Sequence, residues 1–367
     1  MVFLLIISFA MALLVSLLCL VFLRQHALRY AGNLPQRFHV GAVPRIGGLG
    51  LLAGVGAAWV VAAASVSLGW RFNVQVSWAT AWAWLVLTLP AVLGGVYEDL
   101  TQGLSVRLRL LLTACSALLA CYLLGLSVPR LDVLWLDEML ANWPWLGVAL
   151  AFFAICGLPH AFNLIDGYNG LAGTVATMMG LAVTYIALLQ GDRELAAMVL
   201  CLVGATAGFL FWNYPRGLLF AGDGGAYLWG VVIAVSCVSL VQRHPDVSPW
   251  FPMLLLIYPV WETLFSVYRK VSEGFSPTVA DGLHFHQLIY RRIVRQVFEG
   301  DVARQMLQRN NRTSPYLWGF AMLSVAPAVL FWNETRVLMT CCYVFVLVYV
   351  GAYVMLVRFK VPRWLRR

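Results

Sequence analysis

The chain has 367 residues, of which 62% are hydrophobic and only 11% charged, and its mean hydropathy is positive. That balance excludes an ordinary soluble domain and describes a polytopic membrane protein. The net charge of +9 is no argument for nucleic-acid binding, because the basic residues gather in short segments between apolar runs, as the positive-inside rule expects of cytoplasmic loops.

A helix needs about 20 apolar residues to cross the hydrocarbon core. On that ruler the sequence predicts an all-α fold of eleven spans, at 2–23, 46–67, 77–96, 107–127, 144–162, 171–189, 195–212, 222–241, 251–268, 315–332 and 337–357. The first lacks a basic n-region and is long enough to span, so it reads as a helix rather than a cleaved signal. The fifth is interrupted near its end by Pro159 and His160. Arg24, Arg29, Arg37 and Arg45 follow the first span, and Arg358, Lys360, Arg363, Arg366 and Arg367 follow the last. Both segments are expected in the cytoplasm, which places the N-terminus outside and the C-terminus inside. The segment 128–144 carries Asp132, Asp137 and Glu138 against Arg130 and faces outward. The long segment 269–314 carries Arg291, Arg292, Arg295, Arg304, Arg309 and Arg312 and faces inward. No internal repeat is evident, and the chain is read as one membrane domain with 269–314 as a cytoplasmic loop inside it. The cysteines all lie in apolar runs without metal-type spacing, as small core residues do.

The polar islands at 44–48, 98–109, 163–170, 222–225 and 269–292 all fall at span ends on the same predicted face. Glu98-Asp99 closes the third span. Two adjacent carboxylates repel, so they call for water, arginine or a divalent cation, with Arg107 and Arg109 as nearby partners. Asp223 stands in Gly222-Asp223-Gly224-Gly225; it is either a helix cap or part of a ligand cradle of exposed backbone amides. Asn163, Asp166 and Asn169 recur every third residue, a spacing that puts them roughly on one helical face. His284 and His286, with Arg291 and Arg292 beyond, form a donor-rich segment suited to a phosphorylated anion; a zinc site or a basic loop on anionic lipid are the alternatives.

Taken in order, these motifs resemble the polyprenyl-phosphate N-acetylaminosugar-1-phosphate transferases, the MraY/WecA type of glycosyltransferase family 4. Pro44-Arg45-Ile46-Gly47-Gly48 is similar to the family's P-R-x-G-G loop and Glu98-Asp99 to its D-D-x-x-D region. Asn163 to Gly170 is similar to N-x-x-D-G-x-D-G, Gly222-Asp223-Gly224 to G-D-x-G-S, and His284-Phe285-His286 to the histidine motif. The departures are Glu98 for the first aspartate, Asn169 for the later aspartate of the turn, Gly225 for the serine and Gln287 for a histidine. They point away from the peptidoglycan-precursor branch and towards the WecA-like one, which starts O-antigen and related surface glycans.

The resemblance implies transfer of an N-acetylaminosugar 1-phosphate from a UDP-sugar to polyprenyl phosphate at the cytoplasmic face of the bacterial inner membrane, with release of UMP. It implies Mg²⁺ or Mn²⁺ on Asp99 and Asp223, and Glu98 positioning or deprotonating the acceptor. Asn163 and Asp166 fall on the nucleotide side, and Arg45, His284 and His286 near the diphosphate. Asn169 can serve neither as a base nor as a charged ligand. The implied partners are the UDP-N-acetylaminosugar, polyprenyl phosphate, the lipid bilayer and, in keeping with the family, a second copy in a homodimer. An ion-coupled transporter and a non-catalytic subunit of a polysaccharide assembly system are the rival readings.

Overall fold

In the computed structural model, the described residues are all except 24–42, 70–73, 275, 277–281, 295–300 and 359–367, with the side chains of 302 and 303 also left aside. Arg24, Arg29, Arg37, Lys360, Arg363, Arg366, Arg367, Asp281 and Arg295 therefore lie outside the described residues.

The chain is all-helical among the described residues. Its first six helices are α1 (Val2–Phe22), α2 (Gly47–Ser67), α3 (Trp78–Thr101), α4 (Val106–Leu124), α5 (Leu134–Asn142) and α6 (Trp145–Ile165). The remainder are α7 (Leu171–Leu189), α8 (Arg193–Asn213), α9 (Gly222–Arg243), α10 (Trp250–Leu255), α11 (Ile257–Ser272), α12 (Phe285–Arg292), α13 (Val302–Leu330) and α14 (Thr335–Val357). Ten of these are long and apolar enough to cross a membrane.

The eleventh expected span, 251–268, is broken into α10 and α11 at Leu256. Pro259 has no amide hydrogen to offer the Leu255 carbonyl, which removes a rung of the helical ladder at the join. Neither piece alone is long enough to span, so the expectation of eleven continuous spans is corrected to ten and one broken pair. Three other expectations change. Pro159 does not end its helix: α6 runs through it to Ile165, and Gly230 of α9 makes room, since a Cβ there would collide with the Pro159 backbone. The segment 128–144 contains α5, and the supposed loop 269–314 holds α12 and the first turns of α13.

α9 is the axis of the bundle. It is buried without a break from Gly224 to Val241, and α2, α3, α4, α6, α7 and α8 pack on it. An apolar run buried all round needs neighbours on every side, which is why α9 carries small and β-branched residues where α4 and α14 show leucine, tyrosine and valine to the outside. The indole of Trp229 donates to Thr206 Oγ1 at 2.9 Å and that of Trp59 to the Met198 carbonyl at 3.1 Å, so neither of these two large buried side chains leaves its N–H stranded.

Helix direction sorts the connections into two ends. The starts of α2, α7, α9 and α13 meet the finishes of α3, α6 and α8 at one end, where the polar motifs lie. The finish of α9, the starts of α6, α8 and α14, and the segments 125–133 and 244–250 make up the other.

Candidate active site

The motif end is assembled around the N-terminus of α9. Phe220 N–H donates to the Pro44 carbonyl, Gly47 N–H to Phe220 and Gly48 N–H to Ala221, each at 2.9 Å. The Pro44–Gly48 and Phe220–Gly222 segments are thus zipped together by backbone. Glycine is required here by close approach: a Cβ on Gly48 would lie 2.5 Å from the Gly225 nitrogen, and one on Gly95 would run into Asp223 and Gly224. Gly222 adopts φ +70, and a side chain there would strike the Arg45 carbonyl and the Asp99 carboxylate.

Asp99 and Asp223 meet at this point. Asp99, 5% exposed, accepts the Asp223 amide on Oδ1 at 2.9 Å and the Gly224 amide on Oδ2 at 3.0 Å. A carboxylate from α3 therefore caps α9, where free N–H groups and the helix dipole favour negative charge. Asp223 Oδ1 accepts Asn163 Nδ2 at 2.7 Å, and Oδ2 accepts Arg109 at 3.2 Å and the Tyr227 hydroxyl at 3.3 Å. Arg109 also lies 3.9 Å from Glu98, whose Oε2 is taken up by the Leu104 amide at 2.6 Å. The longer arm of Glu98 thus pins the turn between α3 and α4. Sequence reasoning had Arg109 only as an alternative partner and passed over Tyr227, which lies one helical turn beyond Asp223 on the same face.

Asn163, Asp166 and Asn169 do not share one face. α6 stops at Ile165, Gly170 takes φ +72, and the polypeptide turns between them. Asn163 faces Asp223, while Asp166 follows at the half-buried helix end and accepts no hydrogen bond among the described residues. Loss of water, reinforced by the Asp223 charge and opposed by Arg45, pushes the Asp166 carboxyl up to about 7. Asn169 points the other way: its amide nitrogen reaches Asn311 Oδ1 at 2.9 Å, its backbone N–H reaches Asn310 Oδ1 at 2.8 Å, and its carbonyl accepts Ser314 Oγ at 2.5 Å. Asn311 in turn donates to the Pro215 carbonyl at 2.6 Å. Asn169 is a clamp on α13.

The histidine motif packs on the far side of the same turn. His286, 3% exposed, sets its ring against the Gly167 backbone and edge-on to Tyr168 at 5.6 Å. Burial and the adjacent His284 push it down to about 3 against the pull of Glu262, so the ring stays neutral at ordinary pH. His284 stacks on it at 5.4 Å and 7°, and Arg291 stands exposed beside Gly282. Glu262 of α11, 1% exposed, lies under His284. The sequence reading did not single out this residue, although a lone acid inside an apolar run was itself a signal.

The structure thus brings Glu98, Asp99, Asp223, Asn163, Asp166 and Arg45 to one end of the bundle and sets His284 and His286 behind the turn. The donor set is one of hard oxygens: two carboxylates close together, a third without hydrogen-bond donors and the Asn163 amide. That set suits Mg²⁺, which takes one or two carboxylates and completes its sphere with water and substrate phosphate. No cluster of three acidic, histidine or cysteine side chains able to hold a metal by themselves occurs among the described residues.

Residues 81–241, which hold the Glu98-Asp99, Asn163–Gly170 and Asp223 motifs, match the profile described as Glycosyl transferase family 4. Over 255 residues the chain is 27% identical to the probable undecaprenyl-phosphate N-acetylglucosaminyl 1-phosphate transferase of Bacillus subtilis, covering 68% of this chain and 66% of that one. It is 25% identical over 264 residues to the undecaprenyl-phosphate alpha-N-acetylglucosaminyl 1-phosphate transferase of Escherichia coli K12, covering 70% and 67%. The protein of that name in Yersinia pestis is 24% identical over 269 residues, covering 70% and 68%. The chain spans about two thirds of the length of these relatives. By these matches, and by the order in which its motifs close on α9, the chain is similar to glycosyl transferase family 4 proteins over its central helices.

Proposed function

We propose that the protein transfers an N-acetylaminosugar 1-phosphate from a UDP-sugar to a polyprenyl phosphate such as undecaprenyl phosphate. A phosphate oxygen of the lipid attacks the β-phosphorus of the donor, the bond from that phosphorus to the bridging oxygen breaks, and UMP leaves with the electron pair. The observation that carries this reading is the convergence of Asp99, Asp223 and Asp166 with Arg45 and Arg109 at the N-terminus of α9, in a chain whose relatives bear undecaprenyl-phosphate transferase names.

Both reactants are anions, so the site must supply positive charge. Asp223 and Asp99 would hold a Mg²⁺ or Mn²⁺ ion, completed by water and substrate phosphate, which would offset phosphate charge and orient the β-phosphate. Arg45 and Arg109 donate to phosphate oxygens from this chain itself. Asn163 and Tyr227 hold the Asp223 carboxylate in one orientation. A phosphate monoester is largely dianionic at neutral pH, so no strong base is required, and Glu98, bound to the Leu104 amide, shapes the acceptor side.

The carboxylates stand at helix ends rather than at mid-bilayer, where transporters place them. The site is proposed to open to the cytoplasm of a bacterial inner membrane, since its end of the bundle carries Arg45, Arg107, Arg109, Arg291, Arg309 and Arg312. Purified protein given undecaprenyl phosphate, Mg²⁺ and a panel of UDP-N-acetylaminosugars, UDP-GlcNAc first, should release UMP. No release from any donor would refute the transferase.

A further inference from the structure

Glu262 is buried on α11 with no lysine or arginine paired to it among the described residues. A carboxylate so placed is costly unless hydrogen bonds hold it, and three donors do. The Phe285 amide donates to Oε1 at 3.0 Å, His284 Nδ1 lies 3.3 Å from the same oxygen, and the Tyr349 hydroxyl of α14 donates to Oε2 at 2.7 Å. Tyr353, also of α14, donates to the Leu283 carbonyl at 3.2 Å. Three elements are therefore tied together under the first turn of α12.

A carboxylate accepts hydrogen bonds and cannot donate one, so the His284 nitrogen that faces it carries the proton. The other nitrogen, Nε2, has no protein partner among the described residues. His284 is the N-cap residue of α12 and stacks on His286, which rests on Gly167. The orientation of His284 is thus joined mechanically to the Asn163–Gly170 turn.

We infer that Glu262 is the positioning residue of the histidine motif: it holds His284 as the tautomer protonated on Nδ1 and so presents Nε2 to the substrate diphosphate. The substrate in this statement rests on the proposed sugar-phosphate transfer, whereas the tautomer does not. In the doubly protonated ring Nε2–H donates to a phosphate oxygen, while Nδ1–H stays on Glu262. A carboxylate behind an imidazole fixes its tautomer and orientation in just this way in other sites. The groups set against the ring are Glu262 from α11 and His286 from α12, with Tyr349 of α14 on the far oxygen of Glu262.

The test uses the full chain in lipid nanodiscs with ¹⁵N-labelled histidine. Nitrogen shifts, assigned to His284 by their loss in His284→Asn, should show Nδ1 protonated in the wild type. That signature should disappear in Glu262→Met, which keeps the volume and removes the acceptor, and survive in Tyr349→Phe. In the UMP-release assay, Glu262→Met should raise KM for UDP-GlcNAc roughly tenfold or more, as expected for a lost charge-assisted contact, with a much smaller change in kcat. A wild-type His284 protonated on Nε2 in the neutral form would overturn the inference, as would an unchanged tautomer and KM in Glu262→Met. Should Glu262→Met fail to accumulate, the wild-type and Tyr349→Phe spectra decide. A wild type that shows the Nδ1 tautomer but releases no UMP would refute the transferase while leaving the positioning role standing.

Discussion

The two ends of the bundle use similar residues for opposite purposes. At the end remote from the motifs, Asp132 is saturated by Arg130 and by Thr335 Oγ1 at 2.6 Å. Arg130 also donates to the carbonyls of Pro245 and Val247, and Asp192 is shared between Arg243 at 3.2 Å and His244 at 3.1 Å. Those charges are consumed in tying loops together. At the motif end Asp166 has no donor among the described residues, and burial together with the Asp223 charge raises its carboxyl against the pull of Arg45. Surplus negative charge held in place by backbone is what a cation and an anionic substrate can complete; a closed ion-pair knot offers them nothing.

The contrast can be broken most directly by removing one acid from each end. Asp223→Asn should lower UMP release by about 100-fold or more while the chain still purifies as a folded, monodisperse species. Asp132→Asn should leave UMP release intact and cost about 1 kcal/mol of stability, visible as earlier thermal unfolding in detergent. Equal effects on activity from both ends would dissolve the distinction.

Close backbone approach at the motif end gives the next largest effect. Gly95→Ala forces a methyl group into the Asp223–Gly224 backbone and should destabilise by about 1–3 kcal/mol, with activity falling because the α9 terminus is displaced. Gly157→Ala, where nothing lies within reach of a Cβ, is the matched control and should be neutral in the same melting assay.

Asn169→Asp restores the family's acid in name only. The new carboxylate would face Asn311 Oδ1, and Asn311 cannot simply turn its amide because its nitrogen is held by the Pro215 carbonyl. A loss of about 1–2 kcal/mol with no gain in UMP release is expected. A rise in activity would show that residue 169 belongs to the chemistry.

The smallest effect is a pH slope. The folded Asp166 carboxyl titrates at about 7 against its ordinary 3.8, so between those values the folded chain holds a proton that the unfolded chain has released. Stability without divalent cations should therefore fall as pH rises from about 4 to 7 and level off above, and Asp166→Asn should flatten that slope. Mg²⁺ added at pH 8 should raise the melting temperature of the wild type more than that of the variant. A wild-type slope that Asp166→Asn leaves unchanged would place the titrating group elsewhere.

Much of this molecule was legible before folding, because a bilayer leaves a helical chain few choices. Apolar runs of spanning length must be helices, since backbone groups in hydrocarbon have no other partners. Polar islands must gather where those runs end, and the order of Pro44–Gly48, Glu98-Asp99, Asn163–Gly170, Asp223 and His284–His286 carried the family resemblance. What the tertiary structure decided is how each polar group is occupied, which depends on partners far away in the chain. Asp99 accepts the amide of a residue 124 positions later, Asn169 is held by α13, and Glu262 sits beneath His284. Regular spacing could not show that Asn163 and Asn169 face opposite ways, because the turn between them is set by Gly170 and by what packs on each side. Local pattern settles which segments become helices; long-range packing settles which of their charges remain free to act.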